Sequence, residues 1–214
     1  MLIRCIAHAK FLIETESGFR IVTDPYDASC GFPVKPMKAD AVLVSHHHHD
    51  HDAVDTVEGW QTVVDRPGEH TLAPDVKVRA VSAFHDDENG AKRGSTLLFS
   101  IRAEGLNVVH LGDLGHLPSA EQIDELGPVD VLLIPVGGFF TIDALTAREV
   151  CGMLKARVVI PMHYRTEQIP NWPIAPLDDF LSLFPGEPER LSLLRVTAED
   201  LSLQPRLAVL TPQV

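Results

Sequence analysis

Residues 46–51 read His-His-His-His-Asp-His, which puts five imidazoles and one carboxylate in six positions. Neutral imidazole and carboxylate are the ligands that borderline divalent ions such as zinc take, at roughly 2.0–2.2 Å. An expression tag of this composition sits at a terminus. This run is internal, contains an aspartate and follows the apolar stretch 41–44. Within it lies the pattern His-x-His-x-Asp-His, filled by His46, His48, Asp50 and His51. Alternate residues of an extended segment point to the same side, so His46 and His48 can converge on one ion. A sharp turn at Asp50-His51 can aim the next two side chains at a second ion nearby. His47 and His49 then face the other way, as exposed or supporting groups.

Metal centres also draw ligands from distant strand ends, and three residues fit that description. His85 follows an apolar alternating run at 76–84, Asp113 follows the run 106–111, and His163 follows 158–162. Polar residues just past the end of a buried strand sit on loops held by a rigid sheet, where function concentrates.

The elements that must position these residues are strands first, then helices and strands in alternation. Short β-branched or aromatic runs at 2–7, 11–15 and 19–23 predict strands, with a hairpin turn at Glu16-Ser17-Gly18. Residues 39–45 form a nearly continuous apolar strand, the pattern of one buried on both faces. Residues 53–59 are expected to be a short helix. Strands are expected at 61–65 and 76–84, with Arg66-Pro67-Gly68 as a turn between them, and a hairpin at 96–102 and 106–111. Ser119 with Gln122 predicts a capping box, and Gly127-Pro128 ends that helix. A strand at 129–136, a helix at 146–156 starting at Thr146, a strand at 158–162, a helix at 177–184 and two short strands within 191–210 complete the reading. Two sheets covered by helices is the natural architecture.

At 214 residues with 45% apolar content, the chain suits one domain, 1–214, with a sizeable core. Cys5, Cys30 and Cys151 are odd in number and widely spaced, so a disulfide framework is not expected and the cytoplasm is the default location. No signal-peptide layout or membrane span is visible. The formal charge of −12 disfavours a nucleic-acid partner, which needs clustered Lys and Arg. The expected partner is a small molecule, with Lys92, Arg93 and Arg165 as candidate anchors for an anionic one, and self-association is left open. The Pro-rich stretch 170–176 could serve as a pocket rim or a subunit contact.

The ordered set His46-x-His48-x-Asp50-His51, His85, Gly112-Asp113 and His163, with Asp24-Pro25 upstream, resembles the metallo-β-lactamase superfamily over residues 1–168. Ala7-His8-Ala9-Lys10-Phe11-Leu12-Ile13, His110-Leu111-Gly112-Asp113 and Pro161-Met162-His163-Tyr164 are similar to its small hydrolase branch near the ascorbate-phosphate lactonases. The resemblance implies an α/β fold, a four-layered αβ/βα sandwich with metals at the end of the paired sheets. It implies that His46, His48 and His85 bind a first metal, that Asp50, His51 and His163 bind a second, and that Asp113 bridges them. Some lactamase branches carry cysteine in this motif; the aspartate here points away from antibiotic lactamases.

Two divalent ions, zinc in the first instance with manganese or iron as alternatives, would acidify a shared water. The expected activity is hydrolysis of a small ester, lactone or phosphoester by a metal-held hydroxide. Asp113 and Asp50 are the catalytic candidates, the latter to orient the nucleophile or handle its proton. His8, His116 and Tyr164 are candidates for protonating the leaving group. Gly137-Gly138-Phe139-Phe140 could line the pocket, and Asp143 could either hold a ligand histidine or shape a turn. The loop after His85 is either a lid or a solvated loop. Two other classes share the same ligands: a di-iron redox or oxygen-dependent enzyme, and a non-catalytic metal-dependent binding protein.

Overall fold

Adjacent residues of a strand face opposite ways, and in the central strands of this chain both faces are apolar. In the computed structural model, which describes residues 1–199, 201 and 206–213, two sheets stack face to face. The first runs, edge to edge, Leu194–Arg195, Leu2–Ala7, Lys10–Glu14, Arg20–Thr23, Ala41–Leu43 and Thr62–Val64. The second runs Glu189–Leu191, Arg206–Leu210, Val158–Met162, Val131–Pro135, Leu106–His110, Ser95–Ala103, Val76–Phe84 and Gly68–Ala73.

Between the sheets, Ile3, Phe11, Ile21 and Leu43 meet Phe99, Ile101, Leu133 and Ile160 in one buried cluster. Their strand neighbours point outward. Leu98, Val109, Leu132 and Val159 pack against Leu126, Val150 and Phe180 from the helices Ala120–Leu126, Ala144–Leu154 and Leu177–Leu181. On the far side of the first sheet, Val22, Val42 and Val44 are covered by Val57 and Val54. That outer layer is a 3-10 turn at Val54–Thr56 and a two-stranded ribbon, Met37–Lys38 with Val57–Glu58. The two-sheet sandwich is the one the αβ/βα resemblance implies, but its α-helices cover the second sheet alone, and the turn and ribbon form the outer layer of the first.

Local chemistry explains most element ends. The Ser119 hydroxyl accepts from the Gln122 amide at 3.2 Å while Gln122 Oε1 accepts from the Ser119 amide at 2.8 Å, the expected capping box. At the second helix, Asp143 is the cap instead of Thr146, accepting from the Thr146 amide at 2.8 Å, so the helix begins at Ala144. The segment expected to be helical at 53–59 makes only the 3-10 turn before turning into ribbon. Gly68–Ala73, which begins in the expected turn and where no strand is expected, is an edge strand on Val76–Phe84. Among the described residues, three short strands, not two, close the C-terminal part; residues 200 and 202–205 of that stretch lie outside them. Among the described residues, no helix is long and apolar enough to cross a membrane.

Candidate metal centre

Every candidate ligand leaves the same rim of the two sheets. Asp24 follows Arg20–Thr23, the histidine run follows Ala41–Leu43, His85 follows Val76–Phe84, Asp113 follows Leu106–His110, and His163 follows Val158–Met162. Strands Arg20–Thr23 and Ala41–Leu43 are parallel, as are Leu106–His110, Val131–Pro135 and Val158–Met162. Their carboxyl ends therefore share an edge. His8, in the turn between Leu2–Ala7 and Lys10–Glu14, reaches that rim from the antiparallel side.

Three donor groups overlap there: His46, His48 and His85; His46, His51 and Asp113; and His8, Asp50, His51 and His163. In each, the donor atoms lie within 4.8 Å of one another. The Nε2 of His46 is 2.9 Å from His48 Nδ1. Asp113 sits centrally: Oδ2 is 3.3 Å from the Nε2 of both His85 and His163, and Oδ1 is 3.4 Å from His51 Nε2. Asp50 Oδ2 lies 3.5 Å from His51 Nε2 and 3.3 Å from His8 Nε2. His47 lies outside these groups, exposed and 3.5 Å from Asp52.

Buried polar atoms almost always find a partner. Eight buried side-chain nitrogen or oxygen atoms among the described residues have none, and seven belong to His8, His51, His85, Asp113 and His163. Imidazole nitrogens and a carboxylate oxygen aimed inward at one another are satisfied by divalent cations, so the donor set fits a metal centre.

A second ring of contacts orients the donors. Asp24 is fully buried, and its carboxylate accepts from the Ser45 amide at 2.7 Å, the Ser45 hydroxyl at 2.8 Å and His51 Nδ1 at 3.0 Å. Ser45 Oγ, having given its hydrogen to Asp24, accepts from His46 Nδ1 at 3.0 Å. Asp24 therefore places the proton of both His51 and His46 on Nδ1 and turns both Nε2 lone pairs toward the donor cluster, the usual device for a metal-ligating histidine. His110 donates from Nε2 to the Ala9 carbonyl at 2.9 Å and accepts on Nδ1 from the Gly112 amide at 3.0 Å, which supports the Asp113 loop. An added Cβ at Gly112, where φ is +48°, would lie 2.7 Å from the Leu97 carbonyl.

Three non-glycine residues of the site carry the backbone in the left-handed region: His8 at φ 58°, Asp24 at 39° and His163 at 54°. Such conformations cost on the order of 1–3 kcal/mol each and persist where the surroundings impose them.

The metal-free electrostatics are tightly coupled. Burial opposes ionisation of Asp113, yet His163 and His51 hold it well below the usual carboxylate range. Asp24 is likewise lowered against its burial by His51, and Asp50 is lowered against burial by His51 and His8. Burial disfavours the charged form of His51, but Asp113 and Asp24 outweigh it and raise its pKa well above 6.5. Burial, then His51, lowers His46 to about 3.

A cavity of about 490 Å³ opens onto the cluster, lined by His48, His49, Asp50, His85, Arg93, Asp113, Phe140, Asn171, Trp172 and Pro173. Another of about 440 Å³, around Asp75, Lys77, Arg102 and Glu104, contains none of these donors. His49, read from the sequence as facing away, is 59% exposed and contributes to the cavity wall. The Pro-rich stretch supplies its rim through Asn171, Trp172 and Pro173. Phe140 forms wall, whereas Phe139 is 63% exposed.

The loop after His85 is folded around one carboxylate. Asp86 accepts from the amides of Glu88, Gly90, Lys92 and Arg93 at 2.7–2.9 Å. Of the three cations considered as anion anchors, Lys92 pairs with Glu88 at 2.7 Å and Arg165 is not on the wall. Arg93 lines the cavity, lies 5.6 Å from the Phe140 ring and pairs with no carboxylate among the described residues.

Two of the three proton-donor candidates are placed elsewhere. His116 has both nitrogens engaged, accepting from the Phe84 amide at 3.1 Å and donating to the Leu117 carbonyl at 2.7 Å. Tyr164 packs against the core beneath the helices. Asp143 caps a helix and holds no histidine. Asp24 was visible in the sequence only as part of an Asp-Pro pair, and nothing there gave its hub role.

A profile of the Beta-lactamase superfamily domain matches residues 2–163. The chain is 30% identical over 198 residues to a UPF0173 metal-dependent hydrolase of Thermococcus onnurineus, covering 80% of this chain and 85% of the relative. It is 32% identical over 209 residues to that of Carboxydothermus hydrogenoformans, covering 83% and 88%. In structure it is similar to a proposed Zn-dependent hydrolase of the metallo-β-lactamase superfamily from Thermotoga maritima, with a TM-score of 0.81 and 39% identity over 98% of this chain and 97% of the other. The rim of histidines and aspartates thus stands in a chain that belongs to the metallo-β-lactamase superfamily, as one of its metal-dependent hydrolases.

Proposed function

We propose that the protein binds two divalent ions and hydrolyses a small ester, lactone or phosphoester that carries a negative charge. The observation that carries this reading is the overlap of the donor groups at Asp113, whose two oxygens face histidines from both sets at 3.3–3.4 Å. His46, His48 and His85 would hold one ion, Asp50, His51 and His163 the other, and Asp113 would bridge them. Zinc suits the nitrogen-rich first position, and manganese and iron share the same donor chemistry. When bound, such ions acidify water toward neutrality and polarise the oxygen of the bond to be cleaved.

The chain's own residues do the rest. Asp24 and Ser45 fix the donor faces of His51 and His46. Asp50, at the cavity wall, is placed to accept a proton or orient the attacking water. Trp172 and Phe140 exclude solvent from one side of the cavity. Arg93, a cation without a carboxylate partner in a chain of net charge −12, anchors the substrate's carboxylate or phosphate through its planar donor fork.

Metal-loaded protein should be assayed on paired 4-nitrophenyl esters, one neutral and one bearing a carboxylate, and on lactones and phosphoesters. We expect turnover that Asp113→Ala abolishes, and an Arg93→Gln variant whose KM rises about tenfold or more on the anionic ester alone. Protein with two ions bound that hydrolyses none of these would overturn the reading.

A further inference from the structure

His8 is in the condition of a ligand although no ligand set implied by the family resemblance contains it. Its side chain is fully buried. Both ring nitrogens are buried without a hydrogen-bond partner, a state shared with His163. The two rings lie 4.0 Å apart, centroid to centroid, and His8 Nε2 is 3.3 Å from Asp50 Oδ2. His8 forms one group of four with Asp50, His51 and His163, all donor atoms within 4.8 Å of one another. Donors on a single ion lie at most about 4.4 Å apart at ordinary zinc–ligand distances, so a few tenths of an ångström of tightening would close this group on one centre.

The backbone fixes the ring in place. His8 stands at φ 58° in the turn, and its carbonyl accepts from the His163 amide at 3.3 Å. Phe32 at 5.9 Å and Trp172 at 5.3 Å flank the ring. No acceptor or donor other than the metal donors offers it a polar contact. A fully buried imidazole with both nitrogens lacking a hydrogen bond is costly unless something else takes the lone pair.

We propose that His8 ligates the second metal position, which therefore has five protein donors: His8, Asp50, His51, His163 and Asp113. This rests on the metal-dependent reading above and adds to it. Five donors with three nitrogens and two oxygens exceed the four of a closed tetrahedral zinc site. They suit an ion that accepts a higher coordination number, such as manganese or ferrous iron. The two positions would thus differ in protein donor number, with four at the first (His46, His48, His85 and Asp113) and five at the second.

The test uses full-length protein and Co2+ as a spectroscopic probe, with metal content by elemental analysis. The variants are His8→Phe, which keeps the ring's shape beside Phe32 and Trp172, and His8→Gln, which restores an N–H donor for Asp50. Wild type with two Co2+ should show the weak absorption of a five- or six-coordinate ion superimposed on the intense tetrahedral bands. His8→Phe should weaken one of the two binding events by about tenfold or more and change the weak component alone, and His8→Gln should not restore it. An unchanged second affinity and spectrum in His8→Phe would overturn the proposal, as would full rescue by His8→Gln, which would make His8 a positioning residue for Asp50. Failure of wild type to bind metal would instead sink the metal-dependent reading, so the two failures are distinguishable.

Discussion

Asp24 and His46 share no direct contact, yet one controls the other through a single hydroxyl: Asp24 accepts from Ser45 Oγ at 2.8 Å, and that oxygen accepts from His46 Nδ1 at 3.0 Å. The same carboxylate takes the Nδ1 proton of His51 at 3.0 Å. One buried aspartate therefore sets the tautomer of a histidine in each donor group. Asp24→Asn should weaken metal binding at both positions, by about 10- to 100-fold. Calorimetric titration of Zn2+ would detect it. Loss at one position alone would contradict the shared hub.

The alternation along the histidine run separates neighbours that look identical in sequence. His48 lies in a donor group with His46 and His85, whereas His47 is 68% exposed beside Asp52. His48→Ala should remove about one equivalent of metal per chain, and His47→Ala should remove none. Equal loss in both variants would mean that the register is wrong by one residue.

With His51 as a ligand of the proposed second ion, metal and proton compete for it. Its folded pKa is raised well above 6.5, against burial, by Asp113 and Asp24. The protonated form therefore stabilises the metal-free protein fully below 6.5, and that contribution is lost as pH rises through the elevated folded value. His46 at about 3 and His8 at about 4, both lowered first by burial and next by neighbouring His51 and His163 respectively, are already neutral and release nothing. Between 6.5 and the raised value, metal binding should expel about one proton, and affinity should rise with pH. Titrations in two buffers of different ionisation enthalpy measure that number; a value of zero would refute the coupling.

Asp86 gathers four amides, two of them from Lys92 and Arg93. Asp86→Ala should release that segment, with amide exchange at Glu88, Gly90, Lys92 and Arg93 accelerating by about tenfold or more, since a hydrogen bond to a charged group is worth about 1.5–3 kcal/mol. Metal content should stay unchanged, because Asp86 is in no donor group. Unaltered exchange would show that the loop is held by other contacts.

How much of this the sequence disclosed depended on locality. The central strands were legible because both of their faces are buried, so Val131–Pro135 and Val158–Met162 read as unbroken apolar runs. Gly68–Ala73 was not, because one face of that edge strand is exposed and its composition looks like loop. The 3-10 turn at Val54–Thr56 and the Asp143 cap show the limit of reading helix starts from composition, since Asp143 and Thr146, three residues apart, both carry side chains suited to a cap. At the site, the histidine run announced itself, but the placement of His8 did not. It depends on a register shift between Cys5 and Ala7 and a left-handed residue in the turn, neither of which leaves a pattern in the sequence.

The compactness of the histidine run has a consequence for the denatured chain. Five imidazoles stay within six positions of one another however the backbone is arranged. The unfolded protein is thus itself a chelator, and whatever affinity it has is subtracted from the stabilisation that a ligand gives the native state. Raising the metal concentration should lift the melting temperature until the denatured chain begins to load, and then no further. Only His8, His85, Asp113 and His163, which folding alone brings to the run, determine how far above that ceiling the native protein can stand.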